Sequence, residues 1–171
     1  MNRIDATPFL LAAKAADAEM MQFLAANGAD PLLPNVEGVT ALMAAAGVGI
    51  YKVGLSPGTN EEALEALKVA LALGGDVNTI DANGDTALHG AAVRGSNELI
   101  QLLAERGAKL DVVDSMGWTP LTIADGVRFT QTLVVAPEAA RLLRRLMAEK
   151  GLAVPPPPTT TTTGINVTAK E

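Results

Sequence analysis

A pattern of seven residues led by threonine recurs four times in this chain, and no other sequence feature constrains its fold as strongly. In each copy the threonine is followed by proline or a small residue, then by an apolar residue, and three positions later by alanine. The successive threonines are 33, 46 and 33 residues apart. A period of this length indicates an array of similar structural units. The four threonines are Thr7, Thr40, Thr86 and Thr119.

A second part of the pattern, a glycine turn, follows each threonine in register. Gly28 and Gly107 stand 21 residues after their threonines, and Gly74 and Gly151 match when insertions of 13 and 11 residues are allowed. Pairs of apolar residues precede these glycines. Together these features resemble the ankyrin repeat family, whose unit has a Thr-Pro-Leu-His-x-Ala-Ala motif, a helical Leu-Leu pair and a Gly-Ala-Asp turn. The resemblance covers about residues 5 to 152.

The resemblance implies an all-α ankyrin-repeat solenoid in which each unit contributes a short inner helix, a longer outer helix and a hairpin-like loop. Stacked neighbours bury a continuous core, and about three or more units are needed for stability. We expect an ankyrin repeat domain over residues 1–152 and a Pro/Thr-rich tail or linker over 153–171. The four repeats are expected at about 5–33, 34–79, 80–112 and 113–152, with inner helices near 8–15, 41–48, 87–94 and 120–126 and outer helices near 17–26, 60–73, 97–106 and 137–149.

Two insertions, near 50–59 and 127–136, interrupt the second and fourth repeats at the same place, between the inner and the outer helix. Their sequences are apolar and β-prone. Loops two repeats apart should emerge from the same edge of a solenoid, so we expect these two to pair or pack over the short turn of the third repeat. Tyr51 and Phe129 lie in these loops, either as a second aromatic anchor for a partner or as a small satellite core.

Composition argues against several classes of function. The net charge of -6 disfavours nucleic-acid binding, because neutralising phosphates requires clustered Lys and Arg. The chain has no cysteines, which excludes disulfides and thiolate metal sites. No apolar run approaches the ~18 residues of a membrane span, and no cleavable signal pattern opens the chain. The one basic cluster is interpreted as a solvated outer face that caps the array; it comprises Arg141, Arg144, Arg145 and Lys150.

Catalysis has little support in the sequence. His89 is the only histidine, and it occupies the fourth position of the threonine motif. The resemblance implies that this histidine bonds the Thr86 hydroxyl and neighbouring backbone, so we expect a structural role. No cofactor or metal site is expected, because the hairpin aspartates are interpreted as turn formers and the spacing of a calcium loop is missing. These aspartates are Asp76, Asp81, Asp85, Asp111 and Asp114.

Binding of another protein is the function that the resemblance favours, through a concave surface of hairpin tips and inner-helix faces. Trp118, Met116 and Arg94 are the preferred anchors, because Trp and Arg are frequent in binding hot spots. The indole of Trp118 would alternatively cover the neighbouring hairpin. The other interpretation of the whole chain is a spacer or terminal domain without a ligand of its own. The candidate partner-binding residues are Trp118, Met116, Arg94, Glu37, Asn83, Asp85, Tyr51 and Phe129.

The first repeat lacks a polar cap, and Met1 stands almost inside it. We therefore expect that Met1 begins a fragment of a longer chain and that the isolated chain self-associates through this end. Phe9 and Phe23 are assigned to core positions of the repeat. The apolar residues expected to remain open at this end are Phe9, Leu10, Leu11, Met20 and Met21.

Overall fold

The computed structural model describes residues 6–50, 57–129 and 132–156, and for 127–129 and 132–134 it describes the backbone. Short inner helices alternate with outer helices along the chain, and one two-stranded ribbon interrupts them. The elements are α1 (Pro8–Lys14), α2 (Ala18–Ala26), α3 (Ala41–Ala46), α4 (Asn60–Ala72), α5 (Ala87–Arg94), α6 (Asn97–Glu105), α7 (Pro120–Gly126), β1 (Val127–Phe129), β2 (Thr132–Val134) and α8 (Pro137–Glu149).

The helices stack in two rows. The inner row runs α1, α3, α5, α7 and the outer row runs α2, α4, α6, α8, with each helix packed on the next in its row and on its partner in the other row. This arrangement confirms the predicted helical solenoid. The helices also lie close to the bounds that the threonine and glycine positions predict.

Threonine side chains start three of the inner helices, as the repeated motif predicts. The Oγ1 of Thr7 accepts a hydrogen bond from the Leu10 backbone N–H at 3.1 Å. Thr40 and Thr119 accept equivalent bonds from the residues three positions later. Each bond satisfies a backbone donor that has no partner inside the helix. Thr86 differs, because its hydroxyl bonds a histidine ring at the candidate site described below.

Small residues let neighbouring inner helices approach closely. Gly90 of α5 faces the end of α3, where a Cβ built on Gly90 would lie 2.5 Å from the backbone nitrogen of Val48. Gly47 meets the same contact from the other side, since its Cβ would lie 2.8 Å from the Gly90 carbonyl oxygen. No other residue type fits at this crossing without moving backbone, so α3 and α5 form a tightly packed base beneath the hairpins.

The insertion after α7 forms an antiparallel ribbon with itself. β1 pairs with β2 in a register that places Val127 opposite Val134. The β-prone character predicted for this segment is therefore confirmed at the level of the backbone. The partner predicted for it, the second-repeat insertion, falls mainly on residues 51–56, which lie outside the described residues. Pairing between the two insertions thus stays a prediction.

The last helix pair corrects one interpretation of the sequence. Arg144 of α8 is 20% exposed rather than solvated, and its guanidinium bonds Oδ2 of Asp125 on α7 at 2.6 Å. Lys150 Nζ reaches the Ala104 and Ala108 carbonyl oxygens at 3.5 Å. Arg144 therefore ties α8 to α7, whereas Arg141, Arg145 and Lys150 are exposed and form the solvated face.

The first helix pair corrects the interpretation of which apolar residues are buried. Phe9, Leu10 and Met21 are buried, whereas Phe23, assigned to the core from the sequence, is 62% exposed. The apolar surface open at this end therefore consists of Leu11, Met20 and Phe23. Among the residues that the structure describes, no helix has the length and apolar character that crossing a membrane requires.

Candidate functional site

Three hairpins between the helix pairs are built by the same side-chain bond. In each, an Asn or Asp accepts two backbone N–H bonds through one side-chain oxygen. Asn35 accepts from Glu37 and Val39. Asp81 accepts from Asn83 and Asp85, and Asp114 accepts from Met116 and Trp118. The turn-forming role predicted for Asp81 and Asp114 is confirmed.

Backbone hydrogen bonds join the three hairpin tips into one surface. The Ala82 N–H donates to the Glu37 carbonyl at 2.8 Å, and the Ser115 N–H donates to the Asn83 carbonyl at 2.7 Å. Successive tips are thereby held in register. As a result, equivalent residues of the three hairpins line a common groove.

The groove encloses about 280 Å³ between the hairpin tips and the C-terminal ends of α3 and α5. Val39, Val48 and Ile50 form an apolar wall on one side, and Met116 and Trp118 form one on the other. Met116 projects most strongly, with 66% of its surface exposed. The groove lining also contains four acidic side chains, those of Glu37, Asp81, Asp85 and Asp114.

Asp85 occupies an unusual place in this groove. It directly precedes the threonine of its repeat, where the neighbouring hairpins carry Val39 and Trp118. Burial and, to a smaller extent, the nearby carboxylates of Asp81 and Asp114 together raise the pKa of its carboxyl to about 6. Asp85 thus carries an ionisable group at a position that the other two hairpins fill with apolar side chains.

His89 lies under the groove and is fully engaged in structural bonds. The Thr86 backbone N–H donates to Nδ1 at 3.1 Å, and the Thr86 hydroxyl lies 2.9 Å from the same nitrogen. Nε2 is 3.3 Å from the Trp118 carbonyl oxygen, an acceptor, which assigns the ring proton to Nε2. Burial lowers the pKa of His89, so the ring is neutral at pH 7. The predicted bond between His89 and Thr86 is confirmed.

The arrangement also brings together three groups of the kind that ligate metals. Ligand atoms of Asp85, His89 and Asp114 lie within 4.8 Å of one another. Both nitrogens of His89, however, already bond Thr86 and Trp118. A metal ion would have to break one of these bonds, so the chemistry of this set favours hydrogen bonding to a ligand over metal coordination.

Arg94 is not brought into the groove. Its guanidinium donates to the backbone carbonyls of Pro57, Gly58 and Thr59 at 3.0 to 3.4 Å, at the start of α4. Burial there lowers the pKa of the Arg94 guanidinium. Arg94 therefore secures the chain between the second-repeat insertion and α4, and it does not join Met116 and Trp118 in one patch.

Five of the eight predicted partner-binding residues converge on the groove. Met116 and Asn83 are exposed, whereas Glu37 and Asp85 are partly buried. Trp118 is partly buried as well and packs against the core. Tyr51 lies outside the described residues, as does the side chain of Phe129.

Residues 58–135 match the family model of ankyrin repeats in three copies. This chain is an ankyrin repeat protein. Ankyrin repeats are generally modules of protein–protein interaction, and this array has the stacked helix pairs and hairpins on which such surfaces depend.

Relatives of this ankyrin repeat protein differ widely in kind. Potassium channel AKT1 of Oryza sativa subsp. indica is 42% identical over 65 residues, which is 38% of this chain and 7% of the channel. Inversin of Danio rerio is 38% identical over 89 residues, 51% of this chain and 7% of inversin. Protein phosphatase 1 regulatory subunit 27 of Mus musculus is 37% identical over 92 residues, covering 53% of this chain and 50% of that subunit. The chain thus spans at most half the length of these relatives.

The charge of the groove was not predicted from the sequence. Asp85 was predicted both as a partner-binding candidate and, with Asp81 and Asp114, as a turn former. The missing signal was available in the register, because aligning the residues before Thr40, Thr86 and Thr119 places Asp85 between Val39 and Trp118. An acidic residue at an otherwise apolar position is a sign of desolvated charge.

Proposed function

We propose that this chain is a non-catalytic protein-binding module that holds a segment of another protein in the groove between its hairpin tips. The observation that supports this most directly is Met116, an apolar side chain 66% exposed beside the partly buried Trp118 at one wall of the groove. An exposed apolar anchor next to a concave, partly polar surface is a common composition for a binding site. The inserted loops, with Tyr51 and Phe129, extend the proposed surface.

We infer no catalytic role for His89, because Thr86 and the Trp118 carbonyl occupy both ring nitrogens and burial keeps the ring neutral. A general base needs a nitrogen that can reach the substrate's proton. The relatives named as a channel and as a phosphatase regulatory subunit are also consistent with a repeat array that serves larger proteins by binding.

The experiment that tests this proposal compares one variant in the groove with one outside it. Met116→Glu places a charge on the proposed anchor. Val113→Glu places the same charge on the same hairpin at a residue that is 56% exposed and lies outside the groove lining. Trp118→Ala is less suitable, since Trp118 packs on the core and its backbone belongs to the hairpin turn.

The full chain and both variants are used as bait in a lysate of the native host, with bound proteins quantified by mass spectrometry. The proposal expects proteins that bind wild type and Val113→Glu alike and are lost with Met116→Glu. Capture that is the same for all three baits, or no specific capture at all, would favour the alternative of a spacer without a ligand of its own.

We also propose self-association through the first helix pair, where Leu11, Met20 and Phe23 are 41%, 45% and 62% exposed. Burying these side chains between two copies would remove apolar surface from water. Light scattering over a concentration series should show a rising mass that Phe23→Ser suppresses. Ile80→Ser is the matched control, because Ile80 is 54% exposed on a different surface. A constant monomer mass for wild type would end this proposal.

A further inference from the structure

The charged side chains that line the groove are all acidic. Its charged lining consists of Glu37, Asp81, Asp85 and Asp114, and the neutral His89 lies beneath them. None of the ion pairs among the described residues involves Asp81, Asp85 or Asp114. Carboxylates that share a partly buried space repel one another, and this repulsion is offset when a positive ligand enters. The chemistry of the groove is therefore complementary to a cation.

Asp81 adds a second, independent observation. Asp81 is only 7% exposed, and its Oδ1 accepts the backbone hydrogen bonds that form the hairpin turn. Its Oδ2 is buried without a hydrogen-bond partner among the described residues. An unsatisfied carboxylate oxygen at this depth is costly. Because Asp81 lines the groove, a donor entering there would approach this oxygen.

The distances suit one kind of cation in particular. Ligand atoms of Asp85 and Asp114 lie within 4.8 Å of each other. A guanidinium carries five N–H donors in a planar fork, so a single arginine side chain can donate to two carboxylates at this separation. Its methylene stem would lie against Met116 and Trp118, where an aromatic face also attracts the cation.

We propose that the groove binds an extended, basic segment of another protein, with one arginine side chain donating to Asp85 and Asp114 and its stem packed against Met116 and Trp118. This inference rests on the proposed function and names the chemistry of its partner. A free metal ion is the less suitable occupant, because it would use His89 nitrogens that are already bonded, whereas a guanidinium needs only the carboxylates.

The chain contains its own reporter for this binding. Trp118 is the only tryptophan, and it lines the groove, so its fluorescence responds to an occupant. The probe is a capped heptapeptide, Gly-Ser-Leu-Arg-Leu-Ser-Gly, which has no aromatic residue. The matched control peptide carries citrulline in place of arginine, which preserves the shape and removes the charge. Titrations are made in buffer containing EDTA.

We expect a saturable change with a dissociation constant below about 1 mM for the arginine peptide and binding about tenfold weaker for the citrulline peptide. The Asp85→Asn variant should weaken arginine binding by a similar factor. Asp111→Asn is its control, because Asp111 is exposed next to the neighbouring hairpin and outside the groove lining, so this variant removes the same charge from the surface.

Equal binding of the two peptides would overturn the proposal, as would equal losses in Asp85→Asn and Asp111→Asn. A fluorescence change that does not saturate, or one that requires added Zn²⁺ in place of EDTA, would overturn it too. These failures are distinguishable from failure of the proposed function. If wild type still captures a specific partner that Met116→Glu fails to capture, the groove binds protein by a different chemistry.

Discussion

Two aspartates that lie in different regions of this solenoid have opposite electrostatic environments. Asp125, at the end of α7, is 16% exposed and meets the guanidinium of Arg144. Asp85, at the hairpin tips, is also partly buried, but the carboxylates of Asp81 and Asp114 raise its pKa by more than the chain's N-terminal ammonium lowers it. The charge of Asp125 is neutralised by a cation of the same chain. The environment of Asp85 opposes ionisation of its carboxyl.

The difference distinguishes charges that stabilise the fold from charges suited to binding a ligand. The α7–α8 pair uses its buried charges to hold two helices together, so the charge has a partner within the fold. The groove retains carboxylates that form no ion pair among the described residues, and such sites are frequent where a ligand supplies a partner. Asp125 replaces the alanine of the family motif and pairs with a cation. Asp85 replaces an apolar residue, and no described residue forms an ion pair with it.

The largest expected effect is the loss of the paired aspartate. Asp125→Ala leaves the Arg144 guanidinium partly buried without its carboxylate, and should lower the free energy of unfolding by about 2 kcal/mol. Urea denaturation followed by circular dichroism measures this. The control Asp111→Ala changes an exposed aspartate and should stay within about 0.5 kcal/mol of wild type. If both variants unfold like wild type, the Asp125–Arg144 pair does not stabilise the array.

A smaller effect of opposite sign is expected for the unpaired aspartate. Asp85→Asn removes repulsion from Asp81 and Asp114 and should raise the free energy of unfolding at pH 7 by about 1 kcal/mol, since partial solvent exposure screens much of the pKa effect. The same urea experiment measures it. Destabilisation by Asp85→Asn would mean that its carboxylate is favourably bonded in the folded chain, which would remove the contrast with Asp125.

The smallest effect concerns the pH at which the stability of Asp85→Asn diverges from that of wild type. The folded pKa of Asp85, about 6, lies above its ordinary value of 3.8, so its contribution to stability is complete below pH 3.8 and is lost as pH rises through 6. The advantage of Asp85→Asn should therefore vanish below about pH 4 and grow toward pH 7. Unfolding midpoints measured across this range would contradict the assignment if the advantage stayed constant.

Much of the fold was predictable because its signals are local. The bond from the Leu10 N–H to Thr7 and the reciprocal bonds between Thr59 and Glu62 span three residues each. Hairpin bonds, such as those to Asp114, span two to four. A chain segment forms such bonds from its own sequence, so repeats of that sequence predict repeats of the structure.

The sequence did not indicate the contacts that residues make with distant parts of the chain. Arg94 was predicted to form one patch with Met116 and Trp118, and its guanidinium bonds carbonyls 35 to 37 positions earlier. Arg144 was interpreted as solvated, yet it meets an aspartate 19 positions away. Phe23 fits the helical pattern of a core residue and is exposed, because the described part of the structure places no further helix pair over that face.

The groove was predicted in part for the same reason. The hairpin tips that carry Met116, Trp118, Asn83 and Glu37 follow from the repeat register, and the structure brings them together. The net negative field between them does not follow from composition. It depends on which carboxylates the stacking places within reach of one another and which cations it directs elsewhere.

The sequence by itself determined that this chain is a stack of similar helix pairs, where each inner helix begins, and how each hairpin turns, because those features depend on hydrogen bonds between near neighbours. Only the tertiary structure decided which charges lie next to one another. Stacking placed Arg144 against Asp125 and left Asp85 between Asp81 and Asp114. Coulomb energies depend on distance and burial in space, and neither quantity is contained in the spacing of residues along the chain.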